Sequence, residues 1–359
     1  LIKKIGVLTS GGDCAGLNAA VRAIVHRATG QYGWEVYGIC NGTTGLINRP
    51  LQYRPLSREM CDTAMLRAGG TMLGTTNKAN PFAFPTSDGT LDRSDECIAG
   101  YKELGLDALI GIGGDGSLDI LQRLAKKGNI NLVAIPKTID NDLGLTENAI
   151  GYSTAVEIAM DALDHLQPTA ASHQRVMVLE VMGRDAGHIA MAAGIAGGAD
   201  VILVPEISYS IDTICQKIKS LSTSEGRNFA LIIVAEAVKD ENGEPVVVSQ
   251  KWERIRYGGI GHYIGDKIAE KLGADVRVTS LGHIQRGGQP NALDRIIASA
   301  FGVYAVDLLA QGKFDRMVAW QNRQVTDVAI SDAVKGYQSL QLDDILVKTA
   351  RGLGICLGD

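Results

Sequence analysis

Eight short apolar runs, spaced by stretches of helical periodicity, set the limits on what this chain can fold into. The runs are Lys4–Thr9, Glu35–Cys40, Ala108–Ile112, Leu132–Ile135, Val176–Val181, Val201–Val204, Ala230–Ala235 and Val276–Ser280. Helical patterns lie between them, for instance at Ala19–Ala28, Leu118–Lys127, Thr154–Leu166 and Gly258–Lys271. Strand and helix in alternation is the signature of a doubly wound α/β sheet. No repeat, low-complexity tract or long linker breaks the series, and Lys239–Pro245 (KDENGEP) reads as an exposed loop. At 359 residues the chain has room for about two domains. A boundary near residue 150 is suggested by Thr146–Gly151, which separates a polar loop from a helix; composition alone does not place it.

Open α/β sheets hold their ligands at the C-terminal ends of strands, and two such ends here carry unusual chemistry. Asn131–Ile135 runs into Pro136-Lys137-Thr138-Ile139-Asp140-Asn141-Asp142. Two carboxylates, a hydroxyl, an amide and a lysine are costly to bury there without a metal or a charged ligand. The preceding strand ends in Gly113-Gly114-Asp115-Gly116-Ser117. Asp115 alone could be a helix cap or a Mg²⁺ ligand, since Mg²⁺ takes few protein carboxylates and borrows oxygens from phosphates. Taken with Asp140 and Asp142, the pair reads as a phosphate and metal site.

Three further segments point the same way with less force. The strand Ile5–Thr9 leads through Ser10-Gly11-Gly12-Asp13-Cys14-Ala15-Gly16-Leu17-Asn18 into a helix. Glycines admit a phosphate to the backbone, and the helix start offers free N–H groups. The loop is neither a Walker loop nor a dinucleotide fingerprint, and a tight turn without ligand fits it equally well. Ser172-His173-Gln174-Arg175 precedes one strand and Glu180-Val181-Met182-Gly183-Arg184 ends it; arginine forks suit phosphate. Arg277–Gly288 places two arginines and His283 around another strand end, where an anionic substrate or a purely structural histidine are both open readings.

Bulk properties narrow the class of partner. A net charge of −5 argues against nucleic acid, which favours a basic face. No apolar run approaches a membrane span and no signal peptide opens the chain. Opening at Leu1 without methionine reads as a trimmed N-terminus. The six cysteines lack metal-ligand spacing and read as reduced thiols of a cytoplasmic protein.

In this order GGDxxGLN, GGDGS, PKTIDND, SHQR, MGR and GHIQRGG resemble the 6-phosphofructokinases, from Lys4 to about Gly302. The resemblance implies two doubly wound α/β domains, with the active site in the cleft between them. It also implies that each is built from more than one segment: 1–150 plus about 285–332 for the donor, and 151–284 plus about 333–359 for the sugar phosphate. The activity implied is transfer of the γ-phosphoryl group of ATP to the 1-hydroxyl of fructose 6-phosphate, with Mg²⁺. Asp140 resembles the base that takes the hydroxyl proton, flanked by Thr138. Asp115 resembles the main Mg²⁺ ligand, with Asp142 assisting. Gly12, Asn77, Lys78, Gly114, Asp115, Gly116 and Ser117 would meet the donor. Arg184 resembles the arginine at the transferring phosphoryl group. Thr138, Ile139, Met182, Gly183, Glu236, His283, Ile284 and Gln285 would line the sugar, and Arg175, Arg277 and Arg286 its phosphate. Arg175 and Arg277 would come from a neighbouring subunit, so the resemblance implies a homodimer or homotetramer.

The chain departs from the family pattern in places. Leu73-Gly74-Thr75-Thr76-Asn77-Lys78 lacks the arginine that many bacterial members have after Leu-Gly, leaving Lys78 as a less specific cation. Ala15 replaces a usual proline. Glu225-Gly226-Arg227-Asn228 stands where the bacterial effector site has lysines, although Arg22 and Arg27 follow the first glycine loop. Members that use pyrophosphate carry an aspartate at Gly116 and a lysine like Lys137, whereas classical ATP users have glycine at both. This chain is mixed, and Gly116, which leaves room for the α-phosphate of ATP, is weighted above Lys137. Pyrophosphate as donor is the alternative. A silent regulatory subunit is a lesser one, because Asp115, Asp140 and Arg184 are all retained.

Overall fold

A computed structural model describes residues 2–251 and 254–359. In chain order the first elements are β1 (Lys4–Thr9), α1 (Leu17–Tyr32), β2 (Glu35–Ile39), α2 (Thr44–Ile47), β3 (Tyr53–Leu56), β4 (Phe84–Thr86) and β5 (Gly89–Leu91). They continue with α3 (Ser94–Glu103), β6 (Ala108–Gly113), α4 (Asp115–Gly128), β7 (Leu132–Thr138) and β8 (Ile150–Gly151). Next come α5 (Tyr152–His173), β9 (Val176–Val181), α6 (His188–Ala196), β10 (Val201–Leu203), α7 (Ile211–Glu225) and β11 (Ala230–Ala235). A hairpin of β12 (Val247–Lys251) and β13 (Arg254–Tyr257) precedes α8 (Ile260–Leu272) and β14 (Val276–Ser280). The chain finishes with α9 (Ala292–Ala310), β15 (Arg316–Gln321), β16 (Gln324–Ala329), α10 (Ile330–Ala333) and α11 (Ile345–Gly352).

The chain divides into two units, Leu1–Thr154 with Arg286–Tyr337, and Ala155–Gln285 with Gln338–Asp359. In the first, the sheet runs β16-β15-β7-β6-β1-β2-β3 with β8 paired to β7. Its middle strands are parallel, while β3 and β16 close the two edges antiparallel. The chain leaves β1 toward β2 on one side and β6 toward β7 on the other. The adjacent ends of β1 and β6 are therefore a topological switch point, where such sheets open a crevice. The second unit is a four-stranded parallel sheet, β10-β11-β9-β14. Its switch point lies between β9 and β14.

Burial follows the apolar runs. Every residue of β6, β7, β9 and β11 is buried, as expected of parallel strands covered on both faces. On one face of the first sheet, Leu8, Ile39, Leu109, Leu132 and Met317 form a core with residues of α2, α3, α4 and α10. Helices α1 and α9 pack on each other, and Gly302 lets them approach closely: a Cβ there would lie 2.7 Å from the Ala20 carbonyl oxygen.

Strand expectations hold to within a residue or so, with one informative exception. Strand β7 continues through Pro136 and Lys137 to Thr138. Lys137 and Thr138 find parallel partners in Ile150 and Gly151, which keeps the backbone extended past the apolar run. The two units divide after Thr154, Gln285 and Tyr337.

Candidate active site

Three segments of the first unit converge around Gly12. The loop after β1 is fixed from one side by the 73–78 loop: Gly11 N donates to the Thr76 carbonyl at 3.1 Å, and Thr75 Oγ1 to the Gly11 carbonyl at 2.7 Å. From the other side, Lys137 Nζ donates to the Gly12 carbonyl at 2.5 Å. Burial pulls the Lys137 ammonium below the usual lysine range. The second glycine loop is close by: Ser117 Oγ would lie 3.0 Å from a Cβ on Gly11. Burial pushes the Cys14 thiol up to about 12, and as a neutral donor it reaches the Ile150 carbonyl at 3.4 Å.

Asp115 is not the helix cap. Gly114 occupies the cap position of α4 with no side-chain cap hydrogen bond, and Asp115 begins the helix. Gly116, itself exposed, follows in the first turn, with nothing within 4 Å of an added Cβ. Both residues thus stand at a helix N-terminus, where backbone N–H groups favour anions.

The Thr138–Asp142 loop is buried and internally braced. Asp140 N donates to Thr138 Oγ1 at 3.1 Å, and the Thr138 hydroxyl donates to Asp142 Oδ1 at 2.9 Å. Asn141 takes a left-handed conformation (φ 53) and pegs the loop at both ends of its amide. Its Nδ2 donates to the Glu147 carbonyl at 3.0 Å, and its Oδ1 accepts from Ala149 N at 3.0 Å. Asp140 and Asp142 are 7% and 2% exposed, a depth that fits carboxylates meant for a charged ligand.

In the second unit the Met182–Arg184 turn sits at the switch point beyond β9. Arg184 is left-handed (φ 52), its N–H donates to Glu236 Oε1 at 3.1 Å, and its side chain is about half exposed. The neighbouring Asp185 accepts from the Tyr257 hydroxyl at 2.5 Å; burial, then this bond, pushes that phenol up to about 12. Arg175 and Arg277 lie at the opposite ends of β9 and β14, where both pair with Asp275.

The other residues singled out by the motifs stand in settings of several kinds. Ile139 is 1% exposed, so its side chain belongs to the core. Gln285 is equally buried and spends Oε1 on Met182 N at 2.7 Å, which makes it a brace for the turn. Arg286 belongs to the first unit, where its NH1 donates to the Asp13 carbonyl at 3.2 Å beside the glycine loop. Arg27 gives its fork to Asp307 at 2.7 and 3.0 Å, and Arg22 donates to the Asp62 carbonyl at 3.0 Å, so both are engaged within the fold. Asn77, Lys78, His283 and Ile284 are exposed. Within the 73–78 segment singled out for Asn77 and Lys78, it is Thr75 and Thr76 that bond to Gly11; sequence reasoning missed Asp185 and Tyr257, which stand in no segment whose pattern marks a contact.

Residues 4–309 match the Phosphofructokinase family. A Synechocystis protein named ATP-dependent 6-phosphofructokinase 1 is 62% identical over 100% of this chain and 99% of its own length. A Nostoc protein of the same name is 62% identical over 99% of each. Among solved structures, Saccharomyces cerevisiae phosphofructokinase superposes with a TM-score of 0.80 at 30% identity. That match covers 93% of this chain but 45% of the yeast chain. A pyrophosphate-dependent phosphofructokinase from Nitrosospira multiformis, 21% identical over 99% of this chain and 93% of that one, shares the fold with a TM-score of 0.81. With glycine loops, buried carboxylates and family match in agreement along the chain, it belongs to the phosphofructokinase family.

Proposed function

We propose that this chain transfers the γ-phosphoryl group of ATP to the 1-hydroxyl of fructose 6-phosphate, giving fructose 1,6-bisphosphate and ADP, as a cytoplasmic enzyme of glycolysis. The observation that carries the reading is the arrangement in the first unit. Two glycine loops and Lys137 gather beside the braced Thr138–Asp142 loop, and Gly116 leaves open space at the start of α4. Asp140 takes the proton of the sugar 1-hydroxyl as that oxygen attacks the γ-phosphorus and the bond to the β-phosphate oxygen breaks. The Asp142 carboxylate orients the Thr138 hydroxyl, which in turn fixes the Asp140 backbone. Arg184 stabilises charge on the transferring group, and Glu236 holds the Arg184 backbone in place. Asp115 and Asp142 suit Mg²⁺, because an oxygen-only set of two carboxylates leaves positions for phosphate and water. Bound there, the ion would neutralise phosphate charge.

Assembly belongs to the same proposal. Arg175 and Arg184 are separated by the length of β9, roughly 20 Å at 3.3 Å per residue. That separation supports Arg175 and Arg277 serving the sugar phosphate of a neighbouring subunit in a homo-oligomer. The reading is tested by measuring fructose 1,6-bisphosphate formation with ATP and with pyrophosphate at fixed fructose 6-phosphate and Mg²⁺. ATP should support turnover and pyrophosphate little; a preference for pyrophosphate would overturn the choice of donor.

A further inference from the structure

The shortest strand in the first unit links its functional loops. Strand β8 is only Ile150 and Gly151, in register with Lys137 and Thr138 of β7. On the other side it meets the first glycine loop. The Cys14 thiol donates to the Ile150 carbonyl, and an added Cβ on Gly16 would lie 2.7 Å from Ile150 Cγ2. Gly151 has φ +102, and a Cβ there would lie 2.5 Å from Cys14 Sγ and 3.3 Å from Ile139 Cγ2. The donor-side loop and the Asp140 loop are therefore packed against the same two residues.

Gly151, the second of those residues, is held by Asp294, which has no exposed surface. Its Oδ1 accepts from Gly151 N at 2.9 Å, and its Oδ2 accepts from Thr154 N at 2.8 Å and Thr154 Oγ1 at 2.5 Å. The helix that carries it needs no such residue for capping, because Asn291 Oδ1 already accepts from Asp294 N at 3.0 Å. A carboxylate buried at this depth is unfavourable unless its hydrogen bonds are met. Here they are met by the segment whose strand partners are Lys137 and Thr138.

We propose that Asp294 is a positioning residue for phosphoryl transfer: through Gly151 it holds the strand end bearing Asp140 and the Cys14–Gly16 loop in one fixed register. The inference rests on the activity proposed above, and its first test does not depend on that activity. Asp294→Asn keeps the shape but turns an N–H toward a donor. In hydrogen exchange it should speed exchange of both 11–18 and 137–142 by about tenfold or more, with 176–181 unchanged. Faster exchange confined to the start of α9 and Thr154 would overturn the proposal. In turnover assays kcat should fall by about 10–100-fold with both KM values within about threefold, because misplacing a reacting group acts on the chemical step. Thr154→Val is the control: it removes the hydroxyl bond to Oδ2 and the acceptor of Asn291 N while leaving Gly151 on Oδ1, should lower thermal stability, and should leave kcat within about threefold. Cys14→Ala loosens the other side of β8 and should lower kcat by about 3–10-fold at constant KM, which keeps the test decisive if Asp294→Asn fails to fold. Losses of kcat that merely track thermal stability across the three variants would refute the role. A wild-type enzyme inactive with both donors would count against the proposed function, leaving the exchange result to judge Asp294.

Discussion

At the scale of single residues, the two carboxylates of the buried loop were legible because polarity after an apolar run is costly without a ligand. Asp140→Asn should lower kcat by about 10²–10⁴-fold while substrate affinity changes little, since asparagine keeps the shape but cannot take the proton. Isothermal binding of fructose 6-phosphate alongside turnover checks this, and near-normal turnover would remove Asp140 from the role of base. Gly116→Asp makes a sharper demand. The position is open and lies in the first turn of α4, so a carboxylate there should raise fold stability by about 0.3–1 kcal/mol through the helix dipole. The same charge about 4 Å from a donor phosphate costs roughly 4 kcal/mol at an effective dielectric near 20, or about a thousandfold in ATP use. A melting curve and an ATP assay on one variant test both signs. Less legible were the surroundings of three motif residues: the burial of Ile139, the bond from Met182 N to Gln285 and the bond from Arg286 to the Asp13 carbonyl. Which way a side chain points at a strand end is decided by packing around it, and that information lies far away in sequence.

At the scale of elements, apolar runs located β1, β6, β9 and β11 well, and the alternating valines of Val276-Arg277-Val278 located β14. The hairpin β15–β16 escaped notice because Arg316, Trp320, Gln321, Gln324 and Asp327 blur its pattern. Part of its polarity is internal: Arg316 Nε donates to Asp327 Oδ2 at 2.6 Å across the two strands. Helix α9 escaped for the opposite reason, being apolar on nearly every face, so that no stripe stands out. Its contact with α1 gives a prediction. Gly302→Ala would place a methyl group 2.7 Å from the Ala20 carbonyl and 2.8 Å from Ala23 Cβ, forcing the helices apart. Overpacking of about 1–3 kcal/mol, set against about 1 kcal/mol of improved helix propensity, should leave a net loss of stability. Thermal denaturation should show a fall of a few degrees. Because α1 begins where the first glycine loop ends, KM for ATP should rise with it; an unchanged melting temperature would show that the helices separate freely.

At the scale of the whole molecule, the Thr146–Gly151 segment gave only an approximate boundary, and the return of the chain into the first unit came from family resemblance. Discontinuity has no local signature, since the residues flanking each crossing obey the same patterns as any loop. The shared-site proposal is testable at this scale. Mixed oligomers of Asp140→Asn and Arg277→Ala subunits should recover activity that neither variant has alone. With random pairing, half the dimers are mixed and each holds one intact site of two, so about a quarter of wild-type activity should return. No recovery despite demonstrated subunit exchange would refute it. The same discontinuity governs how the protein must emerge from the ribosome. Strand β7, buried along its whole length, is bordered by β15, and β15 is made about 180 residues after β7. At 5–20 residues per second, that edge waits roughly 10–35 s for its partner. An unpaired apolar strand edge recruits other chains, so newborn chains stalled before Arg316 should be the aggregation-prone species, and chaperone demand should peak in that interval.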